Sequence, residues 1–235
     1  MELFEIMQEL ESLGTERTKK YYQSQGAREP LFGVATGAMK PLLKKLKNNQ
    51  AMAEALYETG NFDAMYLAGM IADPKLMTPS DFHRWMEKAY FYMISDFIVA
   101  VTLAETDVAQ EVADQFIASG EDLVMSGGWS CYEWLLGSRK DTEFDSSKLL
   151  ELLNRVEQTI HSQPNDTKNA MNRFVIALGV SYLPLHQEAL DAAERIGEVM
   201  VAARKGTCAL PSVAASIKSQ AEKGRLGFKR KNVRC

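Results

Sequence analysis

The chain has 235 residues, 46% hydrophobic and 25% charged. That balance excludes wholesale disorder and leaves room for a substantial apolar core. The net charge of −4 is unevenly spread: residues 1–14 hold four acids and no base, 15–47 carry +6, 48–222 carry −12, and the closing KGRLGFKRKNVRC carries +6. An acidic body with two basic segments could grip phosphate locally, although a solvated helix face and a loose basic tail explain the same pattern.

Periodicity reads as helix almost throughout, near residues 2–13, 15–24, 37–48, 50–59, 61–72, 80–90, 94–104, 106–118, 121–136, 146–161, 166–182, 185–203 and 211–223. The first run places Leu3, Ile6, Met7 and Leu10 on one face. Leu31–Ala35 is a short apolar link that a loop explains. Thr78-Pro79-Ser80-Asp81 supplies an N-cap hydroxyl, a proline at the first helical position and an acid at the third. Leu149, Leu152, Leu153, Val156 and Ile160 form the next clear stripe. After the start signal Pro164-Asn165-Asp166-Thr167, another follows at Met171, Phe174, Val175 and Leu178. No strand pattern competes. Gly14, Gly60, Gly120 and Gly137 are the expected breaks.

Short connections between many helices imply antiparallel neighbours, stacked or bundled. No repeat of fixed period appears, but degenerate helix pairs of the HEAT or armadillo type fit. The expectation is an all-α, HEAT-like helical solenoid over residues 1–223 with a basic tail at 224–235. No run approaches the roughly 18 apolar residues of a membrane helix, and MELFEIMQEL lacks the basic start of a secretory signal. Cys131, Cys208 and Cys235 are widely spaced and odd in number, which suits a reducing compartment. A cytoplasmic monomer without membrane attachment is therefore expected.

Walker A, nucleophile-elbow, dinucleotide and HExxH signatures are missing. His83, His161 and His186 lie far apart and read as surface or boundary residues rather than ligands. The stretch Tyr90-Phe91-Tyr92-Met93-Ile94-Ser95-Asp96-Phe97-Ile98-Val99 is more informative. On a regular helix Tyr92 and Asp96 share a face, and a carboxylate beside an aromatic wall can stabilise a developing sugar cation. The simpler alternative has Ser95 or Asp96 capping the helix that runs through Val101, and spacing alone favours the cap. Trp129 and Trp134, five apart, do not share an ideal helix face, so core packing is the default for them.

Several segments in order resemble a known family. Asn169-Ala170-Met171-Asn172, Ala177-Leu178-Gly179, Ala189, Ala192, Ile196-Gly197, Cys208, Pro211 and the ending Gly227-Phe228-Lys229-Arg230-Lys231 with Arg234-Cys235 are similar to AlkD-type, HEAT-repeat DNA alkylation repair proteins. Upstream, Phe32–Thr36, Leu42-Leu43-Lys44 and Ser95–Val99 match the same pattern. The resemblance implies a solenoid cradling double-stranded DNA, alkylated or distorted, on a basic concave face. It also implies excision of N3- and N7-alkylated purines without a metal or organic cofactor. On that mapping Asp96 takes the catalytic carboxylate position, with Tyr92 standing where active members have tryptophan. Lys44, Lys45, Lys47, Arg230 and Lys231 become the expected DNA contacts. Two features of the pattern are missing: a second tryptophan in 171–182, and an arginine near Tyr132 and Glu133. A catalytically silent member binding DNA structure, and a protein-interaction scaffold, are the alternatives.

Overall fold

The computed structural model describes residues 1–202 and 206–234; Cys235, weighed above for its thiol, lies outside the described residues. The chain forms two compact units, Met1–Val108 with Arg234 and Ala109–Val233. Each is built of short helices whose connections turn the chain back on itself.

In the first unit, α1 (Leu3–Leu13) and α2 (Glu16–Gln25) meet at Gly14, and the Thr15 hydroxyl caps α2 by accepting from the Thr18 amide at 3.3 Å. A 3₁₀ turn at Thr36–Met39 leads into α3 (Lys40–Leu46). Then α4 (Gln50–Glu58) and α5 (Phe62–Ile71) form a hairpin, capped by Asn49 and Asn61 through side-chain acceptors. Helix α5 is apolar on nearly every face, and a helix of that kind belongs in a core. It contacts α1, α3 and α4, with Phe62, Met65, Leu67 and Ile71 all buried.

Asp63 is the exception on α5. Its side chain is fully buried, and its carboxylate accepts the amides of Phe32 at 2.6 Å, Gly33 at 3.0 Å and Val34 at 2.7 Å. The apolar link at 31–35 is therefore a loop, clamped to α5 by a single carboxylate. Burial pushes the Asp63 carboxyl above its ordinary value, and the three donors only partly oppose it.

Helix α6 (Pro79–Glu87) starts at the expected signal: the Thr78 amide donates to Asp81 Oδ2 at 2.8 Å, closing a capping box. Its Trp85 is fully buried and stacks on Tyr57 at 4.1 Å with 5° between the planes. Such a pair adds about 1 kcal/mol beyond its burial. The segment expected as one helix at 94–104 is composite: α7 (Tyr92–Ile94), a π-helical turn (Ser95–Val99) and α8 (Ala100–Leu103).

In the second unit, α9 (Ala109–Ile117) packs on α10 (Asp122–Leu136), and α10 on α12 (Asn165–Ser181). Helix α11 (Ser146–Thr159) lies against α13 (His186–Ile196), which also meets α12. Asp122, in the first turn of α10, accepts from the Thr167 amide at 2.8 Å and hydroxyl at 2.7 Å, tying the start of α12 to it. The stripe Met171, Phe174, Val175 and Leu178 is buried as its spacing requires.

The expected helix at 185–203 stops at Ile196. Gly197 follows at φ 66° and ψ −143°, a backbone region open essentially to glycine alone. The chain then forms an antiparallel hairpin, β1 (Met200–Ala202) with β2 (Thr207–Ala209), pairing Val201 with Cys208. Three-residue strands are too short to show alternation in a sequence, so the all-helical reading misses them. The Asn165 side chain grips Ala202 on both sides, accepting from its amide at 3.0 Å and donating to its carbonyl at 3.1 Å. The last helix, α14 (Val213–Glu222), packs on α12 and α13.

Expected to be loose, the tail is tied down in this unit. The Gly227 amide donates to the Val180 carbonyl at 2.8 Å, and the Arg230 amide to Gly137 at 2.7 Å. Lys229 Nζ reaches the Leu136 carbonyl and Asp141, both at 2.8 Å. Arg234 belongs to the first unit, donating to the Gly69 and Ala72 carbonyls at the end of α5 and pairing with Glu105 at 2.6 Å. A guanidinium there supplies donors to carbonyls at a helix end, where the backbone ladder runs out of amides.

Candidate functional site

In the first unit, the composite segment at 92–103 lies against α5, where Gly69 permits the approach: a Cβ at that position would sit 2.7 Å from Ile98 Cγ2. The helix starts at Tyr92, so neither Ser95 nor Asp96 occupies an N-cap. Asp96 lies within the π turn, 1% exposed, and accepts the Ser95 hydroxyl at 2.8 Å. A π turn widens the helix, bringing residues five apart into line where four would normally meet. The aromatic partners record that shift: the Tyr92 ring meets Phe97 edge-on at 6.2 Å.

Tyr92 also donates to Gln25 Oε1 at 3.3 Å, and it sits at the edge of a cluster in which Phe91 packs edge-on against Phe62 at 5.1 Å. Arg28 lies over the Tyr90 ring at 4.4 Å, and burial raises the Tyr90 hydroxyl above its ordinary pKa. Residues 90–92 and 97 thus form one aromatic cluster, braced by Phe62.

The expected basic contacts fall into different states. Lys44, Lys45 and Lys47 are exposed, but Lys45 is paired with Glu9 at 2.8 Å. Lys47 closes α3 with a positive φ of 52°. In the second unit Lys231 is exposed, and Arg230 lies over Trp134 at 4.8 Å. Trp129, by contrast, is fully buried against Phe174, so the two tryptophans serve separate faces of α10.

Sequence reasoning passed over Arg173. Sought on α10, an arginine instead reaches that place from α12: Arg173 Nε contacts Glu133 at 2.8 Å, and its terminal nitrogen the Ser130 hydroxyl at 2.6 Å. Its signal in the sequence is its position directly after Asn169-Ala170-Met171-Asn172. Beside it opens a cavity of about 580 Å³, wholly within the second unit and lined by α10, α12, α14 and the tail. Sites for small ligands span roughly 300–1,000 Å³. Elsewhere the free thiols of Cys131 and Cys208 are buried and exposed respectively, and burial raises the Cys131 thiol far above its ordinary pKa. His161 and His186 each engage a backbone carbonyl, of Ile196 and Gly179. Among the described residues, no helix is long and apolar enough to cross a membrane.

Comparison with known proteins agrees with this architecture. A family model described as DNA alkylation repair enzyme matches residues 6–207. An uncharacterised protein of Listeria innocua is 29% identical over 215 residues, covering 89% of this chain and 92% of its own. A second, from Listeria monocytogenes, is 28% identical with the same coverage. A solved structure, described as one of a new family of proteins related to the HEAT-like repeat DNA glycosylases with affinity for branched DNA structures, is 57% identical. It superposes with a TM-score of 0.96 over the whole of both chains. The all-α, HEAT-like expectation is met, and the chain belongs to the DNA alkylation repair enzyme family.

Proposed function

We propose that this protein binds branched DNA, recognising structure rather than excising bases. The observation that carries the reading is the full-length match, at 57% identity, to a protein with affinity for branched DNA structures. Exposed cations that no carboxylate pairs with among the described residues support it: Lys44 and Lys47 in the first unit, Arg230 and Lys231 in the second. Phosphate neutralisation by such groups supplies most of the sequence-independent affinity for DNA. The same reading has the protein acting as a cytoplasmic monomer on the double-stranded arms of a junction.

A second reading keeps base excision, with Asp96 as the carboxylate that supports the sugar cation and Tyr92 as its neighbour. The family match and the π turn favour it, since such turns recur at functional sites. Burial of Asp96 weighs against it, because a carboxylate 1% exposed presents almost no surface to a nucleoside. Two measurements on one preparation separate the readings. Binding is titrated on a three-way junction and on a linear duplex of equal length, and release of 7-methylguanine from methylated duplex is followed. The expected outcome is at least tenfold tighter junction binding with no base release. Release that disappears in Asp96→Asn would establish the second reading, and equal affinity for the two DNAs would defeat the first.

A further inference from the structure

We propose that the cavity of the second unit seats one unpaired nucleotide of a branched DNA, a deepening that rests on the function proposed above. Three kinds of surface meet there. The floor is an apolar stripe of α12, Ile176, Ala177 and Val180, at the i, i+1, i+4 spacing that puts side chains on one helix face. These residues are only half-buried, whereas the neighbouring stripe of α12 is packed in the core.

The edge is polar. The Ser181 hydroxyl and the Gln220 carboxamide both line the cavity, and neither side chain hydrogen-bonds to another described residue. Ser181 is 7% exposed, and what it exposes lines the cavity.

The rim is cationic and aromatic. Arg173 is neutralised by Glu133, but among the described residues no carboxylate pairs with Arg225 or Arg230. Phe228 stands between those two arginines in sequence and is 64% exposed. The Gly227–Val180 hydrogen bond fixes the backbone just before it, and the stack of Arg230 on Trp134 holds the far side of the rim.

An inorganic anion would engage only the guanidiniums, and an apolar ligand only the floor. A nucleotide uses all three surfaces: the base on the apolar floor and the Phe228 ring, its edge at Ser181 and Gln220, and the flanking phosphates at Arg225 and Arg230. At a junction, unpaired nucleotides are already unstacked, so the energy of extruding a base from a duplex is not required.

The test compares three three-way junctions that differ at one branch-point position: fully paired, carrying one unpaired thymidine, or carrying a baseless sugar-phosphate there. Wild-type protein is expected to bind the thymidine junction about tenfold tighter than the baseless one. Phe228→Ala and Ala177→Phe, which remove the stacking ring and fill the floor, should each reduce that preference below threefold. Both should keep affinity for the fully paired junction within twofold. Thermal melting of each variant confirms folding, and Phe228 is exposed enough for its removal to leave the core intact. Equal wild-type affinity for the thymidine and baseless junctions overturns the nucleotide site while branched-DNA binding stands. A preference that survives both variants also overturns it, by placing the base elsewhere. Failure to bind any of the three removes the proposed function itself.

Discussion

The two units treat charge in opposite ways. In the first, the distinctive charged groups are carboxylates taken inside: Asp63 saturated by three amides, Asp96 held in a π turn under the Ser95 hydroxyl. In the second, they are guanidiniums left outside, with Arg225 and Arg230 around an open cavity and no carboxylate paired with either among the described residues. A buried carboxylate with its acceptors filled organises its own chain. An exposed cation without a partner is free to neutralise something else. The contrast separates what holds the fold from what is available to a ligand.

The largest effect expected from breaking this division is at Asp63. Asp63→Ala strands three amides with no acceptor, and a loss of about 3–5 kcal/mol in urea unfolding should follow. A loss under 1 kcal/mol would mean that water or a shifted loop replaces the clamp. Next is Arg234→Ala, which removes the Glu105 pair and the donors at the end of α5; about 2 kcal/mol is expected from the same measurement. The converse holds in the second unit. Arg225→Gln with Arg230→Gln should cost no more than about 1 kcal/mol, most of it from the lost stack of Arg230 on Trp134, since other surface changes cost little. The same pair should weaken junction binding and reduce the slope of log affinity against log salt by about 2. An unchanged slope would place the phosphates elsewhere.

The smallest effect concerns two carboxylates of the first unit, exposed Glu58 and half-buried Asp81. Lys88 holds the Glu58 carboxyl below its ordinary value. Burial pushes the Asp81 carboxyl up, but the Thr78 amide and hydroxyl and the Arg84 guanidinium outweigh it and hold it down. A carboxyl depressed in the folded chain contributes stability above its unfolded pKa of about 4, and that contribution disappears as pH falls through the folded value. Acid titration of thermal stability should show this loss below pH 4, smaller at 1 M salt for these solvent-facing pairs. A loss centred above pH 5 would exclude both groups as its source.

Much of the fold was readable because it depends on local signals. The Thr78–Asp81 box and the Met171–Leu178 stripe carry their geometry in residue type and spacing. The Asp63 clamp was not readable, because its donors lie about thirty positions away and an aspartate in an apolar helix has no local explanation. The hairpin was hidden by strands too short for alternation, and the tail by basic residues that also suit disorder. At the candidate sites, Asp96 and the aromatic run were legible as an unusual composition. The cavity was not, since its floor, edge and rim come from three separated segments.

The π turn has a consequence for how relatives are aligned. Successive residues of a regular helix are offset by about 100°, so a helix that accommodates one extra residue displaces the angular register of everything beyond it. Between Tyr92 and Ala100, counting positions from a relative with an unbroken helix therefore assigns side chains to the wrong bearing. Equivalence across this stretch has to be established by superposing Cα positions on either side of the widened loop, and a gap of one residue belongs inside it.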